Sequence, residues 1–131
     1  MGRQTIAVQF VAVAVGAMLG ANLRYVIMVW SIDQWGTDFP YGTLIVNVSG
    51  AFAIGIILAY LGERLEISLL WRLFFVTGFL GGYTTFSSMQ LDAARLAAKQ
   101  HVHLAAFYLL LSVAAGLLAA LAGAALARAE G

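Results

Sequence analysis

Four stretches of this chain, at residues 6–30, 42–61, 69–94 and 104–126, are each mainly apolar over the roughly 20 residues that a bilayer-spanning helix takes. Lipid offers the backbone no hydrogen bonds, so each stretch is predicted to satisfy its own as a helix. The fold class expected is therefore an all-α membrane protein with four transmembrane helices, forming one domain over residues 1–131. Composition points the same way. The chain is 63% hydrophobic and 10% charged, with mean hydropathy +0.93, whereas a water-facing domain carries roughly a quarter of its residues charged. A cleaved secretory signal is the competing use of the first stretch. Its apolar run is too long for that, and no small-x-small cleavage site precedes a polar chain.

Charge and residue usage exclude several classes of function. A formal net charge of +1 gives no basic footprint for nucleic acid. The chain has no cysteine, which removes disulfide, thiol and cysteine–metal chemistry. His101 and His103 lie near an expected membrane boundary, where a solvated pair is the simplest reading. No buried acid–base pair stands out, so an enzyme is not expected.

Residues 31–41 hold Asp33, Gly36, Asp38 and the single proline, Pro40, which is turn chemistry. Gly62, Glu63, Arg64 and Glu66 form a short polar connection, and Arg128 and Glu130 close the chain. With four spans, Arg3, Arg64, Arg72 and Arg128 share one side of the membrane, and Arg24, Arg95 and Lys99 the other. Four cations against three leave almost no positive-inside bias. Either charge does not decide the topology, or the chain inserts in both orientations with antiparallel partners.

The third span is the most informative. Arg72 and Arg95 frame it, and their midpoint falls between Tyr83 and Thr84, inside Gly81-Gly82-Tyr83-Thr84-Thr85-Phe86-Ser87-Ser88. Paired glycines weaken a helix, and carbonyls freed at that depth need burial in protein or a bound partner. Broken helices near the midplane mark ion and substrate sites; close packing of small residues is the plainer use. In the second span, Asn47 lies one turn from Thr43, on the same face, and an amide in hydrocarbon needs a partner. Tyr108 and Ser112 repeat that spacing in the fourth span. Each polar pair alone reads as packing glue, but beside a broken third span they suggest a polar track. Gly16 and Gly20 form a small-x-x-x-small face for helix association, and Gly50 and Gly55 read as close-approach points. Arg24 either snorkels to the interface or closes a polar contact with the turn at 31–41, in a structural or vestibule role.

Three motifs occur in order, one per span: Gly16-Ala-x-x-Gly-Ala-x-x-Arg24-Tyr25, Gly42-Thr43-Leu-x-Val-Asn47-x-x-Gly50, and Gly78-Phe-x-Gly81-Gly82-x-Thr84-Thr85-Phe86-Ser87-Ser88. Together they resemble the CrcB/Fluc fluoride channels over nearly the whole chain. The resemblance implies an antiparallel, dual-topology homodimer in the bacterial inner membrane that exports fluoride and lowers its cytoplasmic level. It implies a central sodium ion held by the backbone carbonyls of Gly81 and Thr84 at the break in the third helix. It also implies pore positions at Phe86, Asn47, Thr43, Tyr108, Ser112, Ser87 and Ser88. Two residues depart from the pattern. Met89 stands where a second pore-lining phenylalanine is expected, and Asp92 where a glutamate is.

The expected chemistry is consistent. Fluoride is small and strongly hydrated, so several donors have to replace its water, while conduction needs binding weak enough to release it. A polar, uncharged track with the electropositive edges of aromatic rings meets both demands, and a sodium ion adds positive potential without blocking the path. A proton-coupled multidrug exporter of similar size needs an ionisable group in its chamber, and the first span has no Asp or Glu. A non-transporting assembly subunit would not need a polar break at the midplane.

Overall fold

The computed structural model describes residues 3–63 and 69–130. Among these residues seven helical pieces follow one another: α1 (Arg3–Trp35), α2 (Tyr41–Glu63), α3 (Leu69–Arg72), a π-helical segment (Leu73–Leu80), α4 (Gly81–Tyr83), α5 (Phe86–Ala98) and α6 (Val102–Ala129). No strand occurs among the described residues. Three helical stretches, Thr5–Trp35, Tyr41–Leu61 and Val102–Ala129, are long and apolar enough to cross a membrane. The chain is thus an all-helical, multi-pass membrane protein.

The apolar stretch at 69–94 is helical too, but it is divided among α3, the π-helical segment, α4 and α5. No single helix there reaches spanning length. Of the expected polar connection after α2, Arg64 and Glu66 lie outside the described residues.

The turn expected from Ser31 begins later, and α1 runs on to Trp35. Ser31 stays helical because its hydroxyl donates back to the Met28 carbonyl at 3.0 Å, leaving no polar group to leave the helix for. Gly36 ends α1 instead. It adopts a left-handed φ of 75°, and its N–H donates to the Ile32 carbonyl at 2.7 Å, satisfying an orphan acceptor of the last turn.

Small residues set which helices touch. α1 packs against the π-helical segment and α4, and α2 packs against α6. In the first pair the glycines interlock: a Cβ on Gly16 would strike the Phe74 carbonyl, and one on Gly20 the Phe79 carbonyl. From the other side, a Cβ on Gly78 would lie 2.7 Å from the Val13 carbonyl, and one on Gly82 2.6 Å from that of Ala17. Backbone therefore meets backbone, which is how helices associate where lipid removes the hydrophobic drive. The α2–α6 pair uses the same device, with Gly55 against Ala120 and Gly123 against Phe52.

Two buried clusters flank the connection between α4 and α5. Met89, Ala93, Leu96, Ala105 and Tyr108 form one, between α5 and α6. Val46, Leu80 and Tyr83 form the other, with Ile27 and Phe79 packed against it. Most other large apolar side chains face outward, among them Phe10, Leu110 and Leu118, as expected of helices bathed in lipid or covered by another copy.

Candidate functional site

Helical backbone stops at Tyr83 and resumes at Phe86. Thr84 (φ −88°, ψ 155°) and Thr85 (φ −150°, ψ 116°) are extended. Two extended residues between helices leave peptide groups that neither helix can satisfy. Asn47 of α2 supplies what is missing. Its Oδ1 accepts from the Thr85 N–H at 2.8 Å, and its Nδ2 donates to the Thr85 carbonyl at 3.0 Å. One planar amide thereby replaces both hydrogen bonds that a neighbouring turn would have given. Asn47 does have the partner that an amide in an apolar span demands.

Side chains satisfy the rest of the connection. Thr85 caps α5, its Oγ1 accepting from the Ser88 N–H at 3.1 Å. The Thr84 hydroxyl donates to the Leu80 carbonyl at 2.9 Å, to which the Thr84 N–H also donates at 3.0 Å. Arg24 reaches across from α1, its Nε donating to the Gly82 carbonyl at 3.0 Å. Its polar contact is thus with Gly82 of α4 rather than with the turn after α1. Outside the helices' own ladders, no hydrogen bond from a described residue is made to the carbonyls of Gly81 or Thr84. A Cβ on Gly81 would meet nothing closer than the Val76 carbonyl at 3.8 Å, so that side of the chain is open.

A cavity of about 360 Å³ opens beside this connection, lined by Asn47, Gly81, Thr84, Thr85, Phe86 and Met89 together with the α2 residues Gly50, Ala51 and Ile54. None of its lining residues is ionisable. Phe86 and Met89 face it together, yet their surroundings differ: Phe86 is 71% exposed and Met89 only 7%. Phe86 begins α5 and projects from it, whereas Met89 packs into the cluster around Tyr108.

Thr43 lies one turn before Asn47 but belongs to a second cavity, of about 470 Å³, shared with Met28, Ser31, Asp92, Arg95 and Lys99. The Thr43 hydroxyl donates to Asp92 Oδ2 at 2.7 Å. Tyr108, fully buried, points its hydroxyl at the same oxygen from 3.4 Å, a long and weak contact. The Phe39 and Tyr108 rings pack edge to face, centroids 5.5 Å apart at 85°. Ser112 is buried, and its hydroxyl donates to the Tyr108 carbonyl at 2.7 Å. Tyr108 and Ser112 therefore adjoin the site within the protein and line neither cavity. Ser87 is exposed and Ser88 half-buried; the Ser87 hydroxyl lies 3.3 Å from Thr85 Oγ1.

One pair escaped the sequence reading. Ser49 Oγ donates to the Ile45 carbonyl at 2.6 Å and lies 2.8 Å from the Tyr83 hydroxyl, tying α2 to α4. The available signal was a hydroxyl inside an apolar span. Serine hides it well, because it can satisfy itself on its own helix.

Known proteins resemble this chain over most of its length. Residues 11–124 match the family model described as CrcB-like protein, Camphor Resistance (CrcB). The fluoride-specific ion channel FluC of Roseiflexus sp. (strain RS-1) is 48% identical over 118 residues, covering 90% of this chain and 95% of its own length. The protein of the same name from Agrobacterium fabrum is 47% identical, covering 88% of this chain and 93% of its own length. That from Acidobacterium capsulatum is 42% identical, covering 85% and 89%. With the match running from the first helix into the last, the chain belongs to the CrcB-like family.

Proposed function

We propose that this protein is a fluoride-selective passive ion channel that lets fluoride leave the cytoplasm across the bacterial inner membrane. The observation that carries the proposal is the Asn47–Thr85 clamp beside a cavity with no ionisable lining residue. A proton-coupled carrier needs a titrating group where its cargo binds; a channel for a small anion needs donors and no fixed cation to trap it. Relatives that carry the name fluoride-specific ion channel align over most of the chain, which sets fluoride ahead of other small anions.

Thr84 and Thr85 are then the break in the third membrane span, near the midplane. Phe86 and Met89 flank the path, Asn47, Ser87 and Ser88 offer donors along it, and the Thr43, Tyr108, Ser112 and Asp92 group continues it toward the second cavity. Arg24 holds the Gly82 carbonyl and so keeps the glycine pair in place beside the path.

The functional unit is an antiparallel homodimer of dual topology. A Phe86 ring that is 71% exposed in one chain gains a wall when a second chain covers it, and the near-even split of cations favours neither orientation. Labelling of terminal tags from each side of the membrane tests this, and tags reachable from one side only would refute it.

A sodium ion suits the carbonyls of Gly81 and Thr84. Neither accepts a hydrogen bond from a described residue outside the helices' own ladders, and neutral oxygens suit a monovalent cation better than Mg²⁺ or Ca²⁺, which usually recruit carboxylates. When bound, the ion supplies positive potential to the path. A high-resolution density map with water or nothing against those two carbonyls would contradict it.

The channel function itself is tested by efflux from liposomes holding the purified protein. Fluoride should leave without a proton gradient while chloride is retained.

A further inference from the structure

The cavity that holds Thr43 and Asp92 carries an unusual charge arrangement for a passage meant for anions. At its inner part Asp92 is half-buried, with the Thr43 hydroxyl donating to Oδ2 from 2.7 Å. A carboxylate fixed there repels any anion that approaches. The C-terminal end of α5, with its partial negative charge, lies along the same wall and repels it further.

The same wall carries the remedy. Asp92, Arg95 and Lys99 all line this cavity, at spacings of three and seven residues that bring them to one side of α5 and its C-cap. Arg95 and Lys99 are exposed, so the two cations stand toward water and the carboxylate stands inside. Two positive charges against one negative leave the lining net positive. Asp33 and Asp38 belong to the end of α1 and the turn after it, whose Ile32, Gly36, Thr37 and Phe39 line the cavity, but both are exposed and neither itself lines it. Asp92 is thus the one acid among the described lining residues, against two cations.

We propose that Arg95 and Lys99 collect fluoride at the mouth of this cavity by offsetting the Asp92 carboxylate, a role that rests on the fluoride-channel reading. A lining of net positive charge raises the local concentration of anions, and the effect fades as salt screens it. The cations sit at the mouth, where water weakens their hold, so they attract the ion without retaining it. Deeper in, the uncharged cavity around Asn47 takes over.

The test measures fluoride efflux from vesicles of phosphatidylcholine, alone and with anionic lipid added, in about 10 mM and about 1 M of a salt with an impermeant anion, where the screening length is roughly 30 Å and 3 Å. The Arg95→Gln/Lys99→Gln double variant should be roughly three- to tenfold slower than the parent at low salt and equal to it at high salt. Arg95→Lys should keep the parent rate, and so should Arg128→Gln, which removes a cation outside the cavity. Three results would overturn the proposal: a double variant as fast as the parent at low salt, one equally slow at both salts, or one slow only when anionic lipid is added. The second marks a structural role and the third a lipid contact. A parent protein that passes no fluoride would instead bring down the channel reading, and this role with it.

Discussion

Asn47 and Thr85, 38 residues apart in sequence, exchange a reciprocal pair of hydrogen bonds: the asparagine amide accepts from the threonine N–H at 2.8 Å and donates to its carbonyl at 3.0 Å. This pairing holds the extended residues between α4 and α5 in an apolar setting. Replacing Asn47 with Ala leaves both backbone groups without partners, which should destabilise the fold by about 2–4 kcal/mol and abolish flux. Asn47→Asp keeps the acceptor but turns a charge toward the Thr85 carbonyl, and should also be inactive. Thermal unfolding in detergent and efflux from vesicles measure the two effects. A stable, conducting Asn47→Ala would show that the connection holds without the clamp.

Gly20 and Gly116 make a contrasting pair. A Cβ on Gly20 would strike the Phe79 carbonyl, whereas one on Gly116 meets nothing within 4 Å. Gly20→Ala should therefore cost about 1–3 kcal/mol through overpacking. Gly116→Ala should be neutral or stabilising by up to about 1 kcal/mol, because alanine is the better helix former. Equal effects at the two positions would contradict backbone-to-backbone packing of α1.

Much of the fold was legible in the sequence for a simple reason. Lipid demands long apolar helices, so length and hydropathy locate residues 42–61 and 104–126 within α2 and α6. The glycine spacing at Gly16 and Gly20 likewise announces a close contact, because only small residues let backbones approach. Hydropathy does not report how a helix is wound, and the π-helical turns at Leu73–Leu80 left no mark in composition. Nor does it say where polar side chains go. Asn47 had to find a partner, but that partner is set by the register between α2 and the third apolar stretch, which is a tertiary property. The same holds for Arg24, whose target, Gly82, lies 58 residues away. Thr43 and Asn47 share a helical face, which predicts one track, yet each lines its own cavity.

Gln100 tests the end of α5. It holds a left-handed φ of 69°, its N–H donates to the Ala97 carbonyl, and the His101 N–H donates to that of Leu96. That is the hydrogen-bond pattern of a helix closed by a left-handed residue, where glycine is favoured. Gln100→Gly should raise stability by about 1 kcal/mol, since a side chain in this conformation costs roughly that much. Gly36→Ala, the mirror case at the end of α1, should lower stability by a similar amount. Thermal unfolding midpoints that fail to move in opposite directions would contradict the assignment.

Phe86 and Met89 line one cavity with very different exposure. Phe86→Ile keeps bulk but removes the positive ring edge that an anion can use, and flux should fall to background while the protein stays monodisperse. Met89→Phe replaces a flexible side chain with one of similar volume and should be tolerated, adding a second ring edge to the cavity wall. Unchanged flux in Phe86→Ile would show that aromatic edges play no part in this protein.

The central claim, passive conduction of fluoride in preference to chloride, is tested most directly by paired efflux from one preparation. Liposomes holding purified protein are loaded with equal potassium fluoride and potassium chloride and diluted into an impermeant salt. Valinomycin carries the counter-charge, and a protonophore removes any proton gradient. Ion-selective electrodes then follow each anion. The site around Asn47, Thr85 and Phe86 predicts rapid release of fluoride with chloride retained and no effect of the protonophore. Equal release of the two anions, or release that stops when the proton gradient is removed, would contradict it.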